Sequence, residues 1–253
     1  MSFNQFFDIQ DSDFCTYVLK EEERESFVDS FLKYYQSCYI CSDKLKGLTD
    51  KGINKKEVFE SIFPTRGNIQ SGDFGEILSN FIIEQIEVDS VGVKKWRWKE
   101  SKDSPVHKID LVLTGIENID KPSPSDKLIL GEVKAKATDL KYSQVKNAID
   151  DIKKENVARV ARTIIWAREK YILDGEVELV KRLDRFIKST EEAYGEYETK
   201  LYAVGVIDKE FVESDLLTGK ESIENRGDIN LFVVSINKLK ETYQDIYKAL
   251  HNV

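Results

Sequence analysis

The sequence predicts one α/β domain in which helices cover a central β-sheet. Three observations indicate this class: residues 73–86 have the spacing of an amphipathic helix, three strand-like runs follow them, and later helices alternate with two further strand-like runs. The 253 residues are enough to bury a sizeable core. A composition of 41% hydrophobic and 33% charged residues excludes collagen, low-complexity disorder and a membrane bundle.

Residues 1–70 are interpreted as an N-terminal helical lead-in that packs on the core. Their patterns are weak, and they predict a strand at 14–19, a helix at 21–35 and a short helix near 55–63. The stronger patterns begin with the helix at 73–86, in which apolar residues recur at i, i+3, i+4, i+7 and i+8.

The remaining elements follow from strand-like and helical runs further along the chain. In order, they are strands at 91–99, 108–114 and 127–136, two or three helices within 142–197, strands at 200–207 and 230–236, and a closing helix at 238–250. The helical stretch at about 156–198 is interpreted as an insertion in the domain that spans 71–253.

The run L-I-L-G-E-V-K-A-K, at 128–136, places charges on a strand that is otherwise apolar. Because strand side chains alternate between faces, Glu132 and Lys134 share one face with Leu128 and Leu130. Burying such charges is costly unless they are paired or hold a metal ion. The run therefore predicts a functional or ion-paired site on this face.

The preceding strand offers a second carboxylate, Asp110, which shares its face with the apolar Val112. If the two strands are neighbours, the carboxylates of Asp110 and Glu132 lie about 5–8 Å apart. Two oxygen donors at that distance suit a hard cation such as Mg²⁺. Lys134 would stand about 7 Å along the strand from Glu132, near enough to position a water molecule.

Glu76, near the start of the helix at 73–86, is a third candidate, but each residue also has an ordinary structural interpretation. Asp73 and Glu76 fit a helix capping box. Asp110 and Lys134 fit a cross-strand ion pair. The order of a helix with Glu, a strand with Asp and a strand with E-x-K is more specific than any of these parts.

These residues resemble a known signature. D-F-G-E at 73–76, K-I-D-L at 108–111 and G-E-V-K at 131–134 look like the motif of PD-(D/E)xK nucleases, with Ile109 where that family has proline. The resemblance implies a restriction-endonuclease-like core of helix, three strands, helix and strand. More specifically, the chain is similar to the HamA family, nuclease subunits of Hachiman-type anti-phage defence systems that work with a helicase subunit.

The resemblance also implies roles for particular residues. Asp110 and Glu132 would bind Mg²⁺, with Mn²⁺ as a substitute, and the backbone carbonyl of Val133 would be a further ligand. Glu76 would be a direct or outer ligand. Lys134 would orient or activate the attacking water, which makes Glu76, Asp110, Glu132 and Lys134 the candidate catalytic residues.

Two further features are candidates for DNA contact. Residues 94–102 hold five Lys or Arg against one Glu, and Trp96 and Trp98 within this run could stack on bases. The alternative is a solvated edge strand whose lysines discourage aggregation. Gln144, on the helix that follows the E-x-K strand, occupies the place of a glutamine that assists in some relatives.

The net charge and the absence of targeting signals limit the possible partners and location of the protein. With 38 Lys and Arg against 46 Asp and Glu, the net charge is −8, so we expect weak DNA binding by the chain alone and a heteromeric complex in which a helicase delivers DNA. The absence of a signal peptide, a long apolar run and a cysteine framework predicts a cytoplasmic protein without membrane contact. Cys38 and Cys41 lack the second pair that a structural zinc site needs.

The leading hypothesis is a Mg²⁺-dependent DNA nuclease that is the effector of anti-phage defence. The alternatives are a catalytically inactive DNA-binding or scaffold subunit with a nuclease fold, and an ion-paired structural protein.

Overall fold

A computed structural model describes residues 3–139, 141–187 and 195–251 of the chain. Within these residues, seven strands form one sheet. In chain order they are β1 (Phe7–Asp11), β2 (Cys15–Leu19), β3 (Ser90–Gly92), β4 (Leu111–Gly115), β5 (Lys127–Lys136), β6 (Glu198–Asp208) and β7 (Asn230–Ile236). The order across the sheet is β1-β2-β7-β6-β5-β4-β3. The four strands β2, β7, β6 and β5 are mutually parallel, and antiparallel pairs extend the sheet at both edges.

The same described ranges contain ten α-helices. They are α1 (Phe3–Phe6), α2 (Arg24–Tyr39), α3 (Ser42–Thr49), α4 (Lys55–Ile62), α5 (Gly67–Ile86), α6 (Gln144–Ile152), α7 (Val157–Asp174), α8 (Val177–Ile187), α9 (Val212–Glu224) and α10 (Leu239–His251). None of these helices has the length and apolar composition needed to cross a bilayer.

Helices cover both faces of the sheet, which confirms the expected α/β class. Helices α2, α5 and α10 pack on one face, and α6, α7, α8 and α9 pack on the other. Along β5, Ile129 and Val133 belong to the first core layer, whereas Leu128 and Leu130 belong to the second. The alternation predicted for this run is therefore present, and both faces of β5 are apolar because both are buried.

The strand predicted at 91–99 is wrong beyond Gly92. The chain leaves the sheet after β3, and residues Lys95–Trp98 form a 3₁₀ turn. The side chains of Lys95 and Trp96 both reach the Oε2 atom of Glu76, at 3.1 and 3.0 Å. Successive side chains of a strand point to opposite faces, so two neighbours cannot meet the same carboxylate oxygen in an extended chain.

Helix α5 begins at Gly67, earlier than the predicted start at residue 73, with Arg66 as its N-cap residue. Asp73 therefore lies well inside the helix and cannot cap it, so the capping-box interpretation is wrong. The glycines of this segment have low helix propensity, and tertiary packing overrides that preference. At Gly75 the backbone comes close to β5, since an added Cβ would lie 3.4 Å from the Cβ of Ala135.

Besides the expected helices, the first 70 residues contain β2, which confirms the strand predicted at 14–19, and β1, which was not predicted. Strand β2 pairs with β7 in parallel, and β1 pairs with β2, so this segment extends the main sheet. Helix α5 continues across residue 70. The division of the chain at residue 70 stays a prediction. Between α8 and β6, part of the expected insertion at 156–198 lies outside the described residues.

Candidate functional site

The carboxylates of Asp110 and Glu132 are brought together by the pairing of β4 with β5. Leu111 pairs with Gly131, and the antiparallel register places Asp110 opposite Glu132 one position further out. Asp110 lies just before β4, and its Oδ2 atom accepts a hydrogen bond from the backbone N–H of Val133 at 3.0 Å. The contact fixes the Asp110 carboxylate at the start of β4, beside the E-x-K run.

Glu76 reaches the same site from α5. Its Oε2 atom accepts a hydrogen bond from the indole N–H of Trp96 at 3.0 Å and lies 3.1 Å from the Nζ atom of Lys95. The same ammonium group is 3.7 Å from the Oδ1 atom of Asp110. Lys95 therefore lies between the helix carboxylate and the strand carboxylate.

Lys134 lies on the other side of Glu132. Its Nζ atom is 3.5 Å from the Oε2 atom of Glu132 and 2.9 Å from the Oδ2 atom of Asp151, near the end of α6. A cross-strand ion pair between Asp110 and Lys134, the structural alternative from the sequence, is not the contact that forms. Asp151 also pairs with Lys154 at 2.8 Å.

Burial and crowding shift the acid–base equilibria of the site. Burial, together with the charge of Asp110, raises the pKa of Glu132 to about 8. Burial also raises the pKa of Glu76 to about 8, against the opposing charge of Lys95. Burial disfavours the charged form of Lys134, but Asp110, with Asp151 and Glu132, outweighs it and raises its pKa. The carboxylates thus lie in a poorly hydrated place where a bound cation would favour their charged forms.

The donor atoms suit a hard divalent cation. Glu132 is only 5% exposed, and its Oε1 atom is buried without a hydrogen-bond partner. Because the N–H and C=O of one strand residue point to the same side, the carbonyl of Val133 points toward the Asp110 side of β5. These oxygens are the ligand types that Mg²⁺ prefers. Across the described residues, however, no three His, Cys, Asp or Glu side chains are grouped closely enough to hold a metal ion as they stand.

Two residues of this arrangement were missed by sequence reasoning, Lys95 and Asp151. Lys95 is 3% exposed and also donates a hydrogen bond to the backbone carbonyl of Ile109 at 3.2 Å. In the sequence it is one of several lysines in a basic run, and no periodicity marks it as buried. The only signal for Asp151 is its place on the predicted helix after the E-x-K strand.

The basic run at 94–102 is folded against the protein, which contradicts base stacking by Trp96 and a solvated edge strand. Trp96 is 2% exposed, so its ring is not available for base stacking. The indole N–H of Trp98 donates to Asp174 at 2.7 Å, and Lys99 is ion-paired with the buried Asp73. The run is therefore not an edge strand, and DNA contact by its partly exposed residues stays a prediction.

Gln144 is the first residue of α6, but its described contacts do not include Glu76, Asp110 or Glu132. Its backbone N–H donates to Asp215 at 2.9 Å, and its side-chain oxygen accepts from Asn147 at 3.3 Å. Asp215 also accepts from Ser143 and from the ammonium group of Lys136. The start of α6 is therefore held by a buried carboxylate, and an assisting role for Gln144 stays a prediction.

The comparison with protein families gives a match over almost the whole chain. The model of the family described as HamA covers residues 2–250. The chain belongs to the HamA family. The matched span includes the entire candidate site, and membership of HamA fits a role in Hachiman anti-phage defence. No curated protein and no solved structure matches this HamA-family chain.

Proposed function

We propose that this HamA-family chain is a Mg²⁺-dependent DNA nuclease that acts in anti-phage defence together with a helicase subunit. The observation that carries the proposal is the convergence of Asp110, from the entry to β4, with Glu132 and Lys134 of β5 and with Glu76 of α5. Two carboxylates and a lysine at this spacing are suited to phosphodiester hydrolysis with a bound metal ion.

The arrangement of elements around the site supports the proposal. Helix α5 precedes the antiparallel strands β3, β4 and β5, and α6 leads toward the parallel strand β6. This is the order expected of a restriction-endonuclease-like core. The site residues lie on α5, β5 and the entry to β4, which are rigid elements packed on the core.

In this proposal each residue has a distinct task. Asp110, Glu132 and the backbone carbonyl of Val133 hold Mg²⁺. When bound, the ion stabilises the negative charge that develops on the phosphate as the phosphodiester bond breaks. Lys134 orients the attacking water, and Asp151 holds the ammonium group of Lys134 in place.

The charge distribution supports a requirement for a partner. The net charge is −8, and within the basic run at 94–102 the ammonium groups of Lys95 and Lys99 form internal ion pairs. DNA affinity depends on cationic side chains that remain free to neutralise phosphates. A helicase subunit that brings DNA to the site compensates for this weak attraction.

DNA degradation by single variants tests the proposal. Asp110→Ala, Glu132→Ala and Lys134→Ala should each reduce cleavage by at least about a hundredfold in the presence of Mg²⁺. Lys154→Ala is a matched control, because Lys154 is an exposed neighbour that also pairs with Asp151. Circular dichroism verifies that each variant is folded. Cleavage that survives all three site changes would exclude this site.

One observation favours a second candidate function, a catalytically inactive DNA-binding or scaffold subunit. The ammonium group of Lys95 already pairs with Glu76 and Asp110, so part of the charge is balanced without a metal ion. Calorimetric titration of the wild type and Asp110→Ala with Mn²⁺ separates the two functions. The nuclease requires binding that the variant loses, whereas equal heats for both proteins favour the inactive subunit.

A further inference from the structure

Lys95 is a buried cation inside a group of carboxylates. Its Nζ atom is held by Glu76 at 3.1 Å, by Asp110 at 3.7 Å and by the carbonyl oxygen of Ile109 at 3.2 Å. The next residue, Trp96, is also buried and bonded to Glu76. Because these contacts come from α5 and from the entry to β4, the ammonium group cannot leave without unpairing buried charges.

The charged side chains of the site and of its neighbouring ion pairs are almost balanced. Among the described residues that form the site and its ion pairs, five carboxylates face four cationic side chains. They are Glu76, Asp110, Glu132, Asp151 and Glu155 against Lys95, Lys134, Lys154 and Arg159. One divalent cation turns the excess of one negative charge into one positive charge, which matches a single phosphodiester group.

The carboxylates of the site also differ in how many of their oxygens already have a partner. Asp110 uses Oδ2 to bind the N–H of Val133, and its Oδ1 faces Lys95. Glu76 is saturated on Oε2 by Lys95 and Trp96. Glu132 and Glu155 have buried carboxylate oxygens without a hydrogen-bond partner, and of these two only Glu132 lies on β5 opposite Asp110. A cation held by Asp110 and Glu132 would therefore use the unpartnered oxygen of Glu132.

From this geometry we infer that Lys95 takes the place of a second divalent cation, so that the site binds one metal ion and not two. The inference rests on the proposed metal centre at Asp110 and Glu132. In two-metal nucleases, cations about 3.5–4 Å apart share carboxylates. Here the position between Glu76 and Asp110 is filled by the ammonium group of Lys95.

Counting the Mn²⁺ ions bound to the full-length chain, by electron paramagnetic resonance of the free ion, tests the inference. The wild type should bind one ion, and Lys95→Met should bind two because Glu76 and Asp110 become available. Adding Glu76→Gln to Lys95→Met should return the count to one. Lys99→Met is the matched control: Lys99 is another buried lysine of the segment but pairs with Asp73, so the count should stay at one.

The outcomes separate this inference from the proposed function. Two ions on the wild type, or one ion on folded Lys95→Met, would overturn the one-metal inference and leave the nuclease proposal standing. No ion on the wild type would overturn both. If Lys95→Met fails to fold by circular dichroism, Glu76→Gln decides: one ion before and after this change supports the inference, and a drop from two to one contradicts it.

Discussion

The Oδ2 atom of Asp110 accepts a hydrogen bond from the backbone N–H of Val133 at 3.0 Å. This contact ties the loop before β4 to the middle residue of the E-x-K run. It also orients the Asp110 carboxylate beside Glu132 through a backbone group of β5. The site therefore depends on backbone geometry that the pairing of two strands provides.

Asp151 is expected to act by positioning Lys134, with which it is ion-paired at 2.9 Å. Asp151→Asn should reduce the rate of DNA cleavage by about tenfold to a hundredfold, since lost outer partners of a site have effects of this size. Asp150→Asn is the control, because Asp150 pairs with the exposed Lys146 on the same helix. Equal cleavage rates for the two variants would show that Asp151 does not position Lys134 for the reaction.

A buried chain of hydroxyl groups joins α2 to α10. Tyr247 bonds to Tyr35 at 2.7 Å and to Tyr39 at 2.9 Å, and Tyr39 donates to Asp73 of α5 at 2.5 Å. Tyr247→Phe should lower the free energy of unfolding by about 1–3 kcal/mol, because it leaves buried hydroxyl groups without partners. Urea denaturation measures this change.

The control for this prediction lies on the same helix. Tyr243 packs its ring near Phe74, and its hydroxyl takes no part in the Tyr35–Tyr247–Tyr39 chain. Tyr243→Phe should therefore change stability much less. A loss as large as that of Tyr247→Phe would show that the hydroxyl chain is not what stabilises the contact.

Glu87 makes stability depend on pH. Burial opposes its charged form, but hydrogen bonds from Lys200 at 2.8 Å, Tyr202 at 2.6 Å and Lys127 at 3.0 Å outweigh burial and hold its pKa below the ordinary 4.5. The stabilising contribution is therefore present above pH 4.5 and is lost as the pH falls through the lower pKa of the folded state.

Glu87→Gln should consequently be less stable than the wild type at pH 7, by about 1–3 kcal/mol in the free energy of unfolding. The difference should shrink as the pH falls below 4.5, because the wild-type carboxylate then becomes neutral too. Urea denaturation across this pH range measures it, with the exposed Glu224 changed to Gln as a control. A difference independent of pH would argue against the linkage.

Gly92 ends β3 where Asn80 of α5 passes very close. An added Cβ would lie 2.0 Å from the Oδ1 atom of Asn80, whose side chain is fully buried. Gly92→Ala should therefore lower the free energy of unfolding by about 1–3 kcal/mol. Gly72→Ala, within α5 and with nothing near the added methyl group, should instead raise it by about 0.5–1 kcal/mol. Thermal denaturation compares the two variants with the wild type. A Gly92→Ala variant as stable as the wild type would contradict the close packing of Gly92 against Asn80.

The best-predicted part of the fold is the part with the strongest pattern. The predicted bounds 127–136 and 230–236 coincide with β5 and β7 because both strands are apolar on two faces. The placement of Asp110 near Glu132 also followed from alternation along two neighbouring strands. The alternation of side chains was sufficient to predict features that depend on a single strand or on one pair of neighbouring strands.

The missed features depend on contacts between distant parts of the chain. Lys95 is buried only because Glu76 and Asp110 surround it, and a lysine in a basic run gives no local sign of this. Helix α9 has a weak apolar stripe, and Gly219 lets it approach Ser143 at the start of α6. Strand β1 is short and partly polar, so its pairing with β2 was not predicted.

We propose above that Asp110, Glu132 and Lys134 form a metal-dependent nuclease site. The most direct test is cleavage of labelled DNA by the chain together with its helicase subunit, with Mg²⁺ present and then removed by a chelator, for the wild type and Glu132→Gln. A metal-dependent site requires that only the wild type with Mg²⁺ cleaves efficiently and that the variant is slower by at least about a hundredfold. Equal cleavage by Glu132→Gln, or cleavage that persists without a divalent metal, would contradict it.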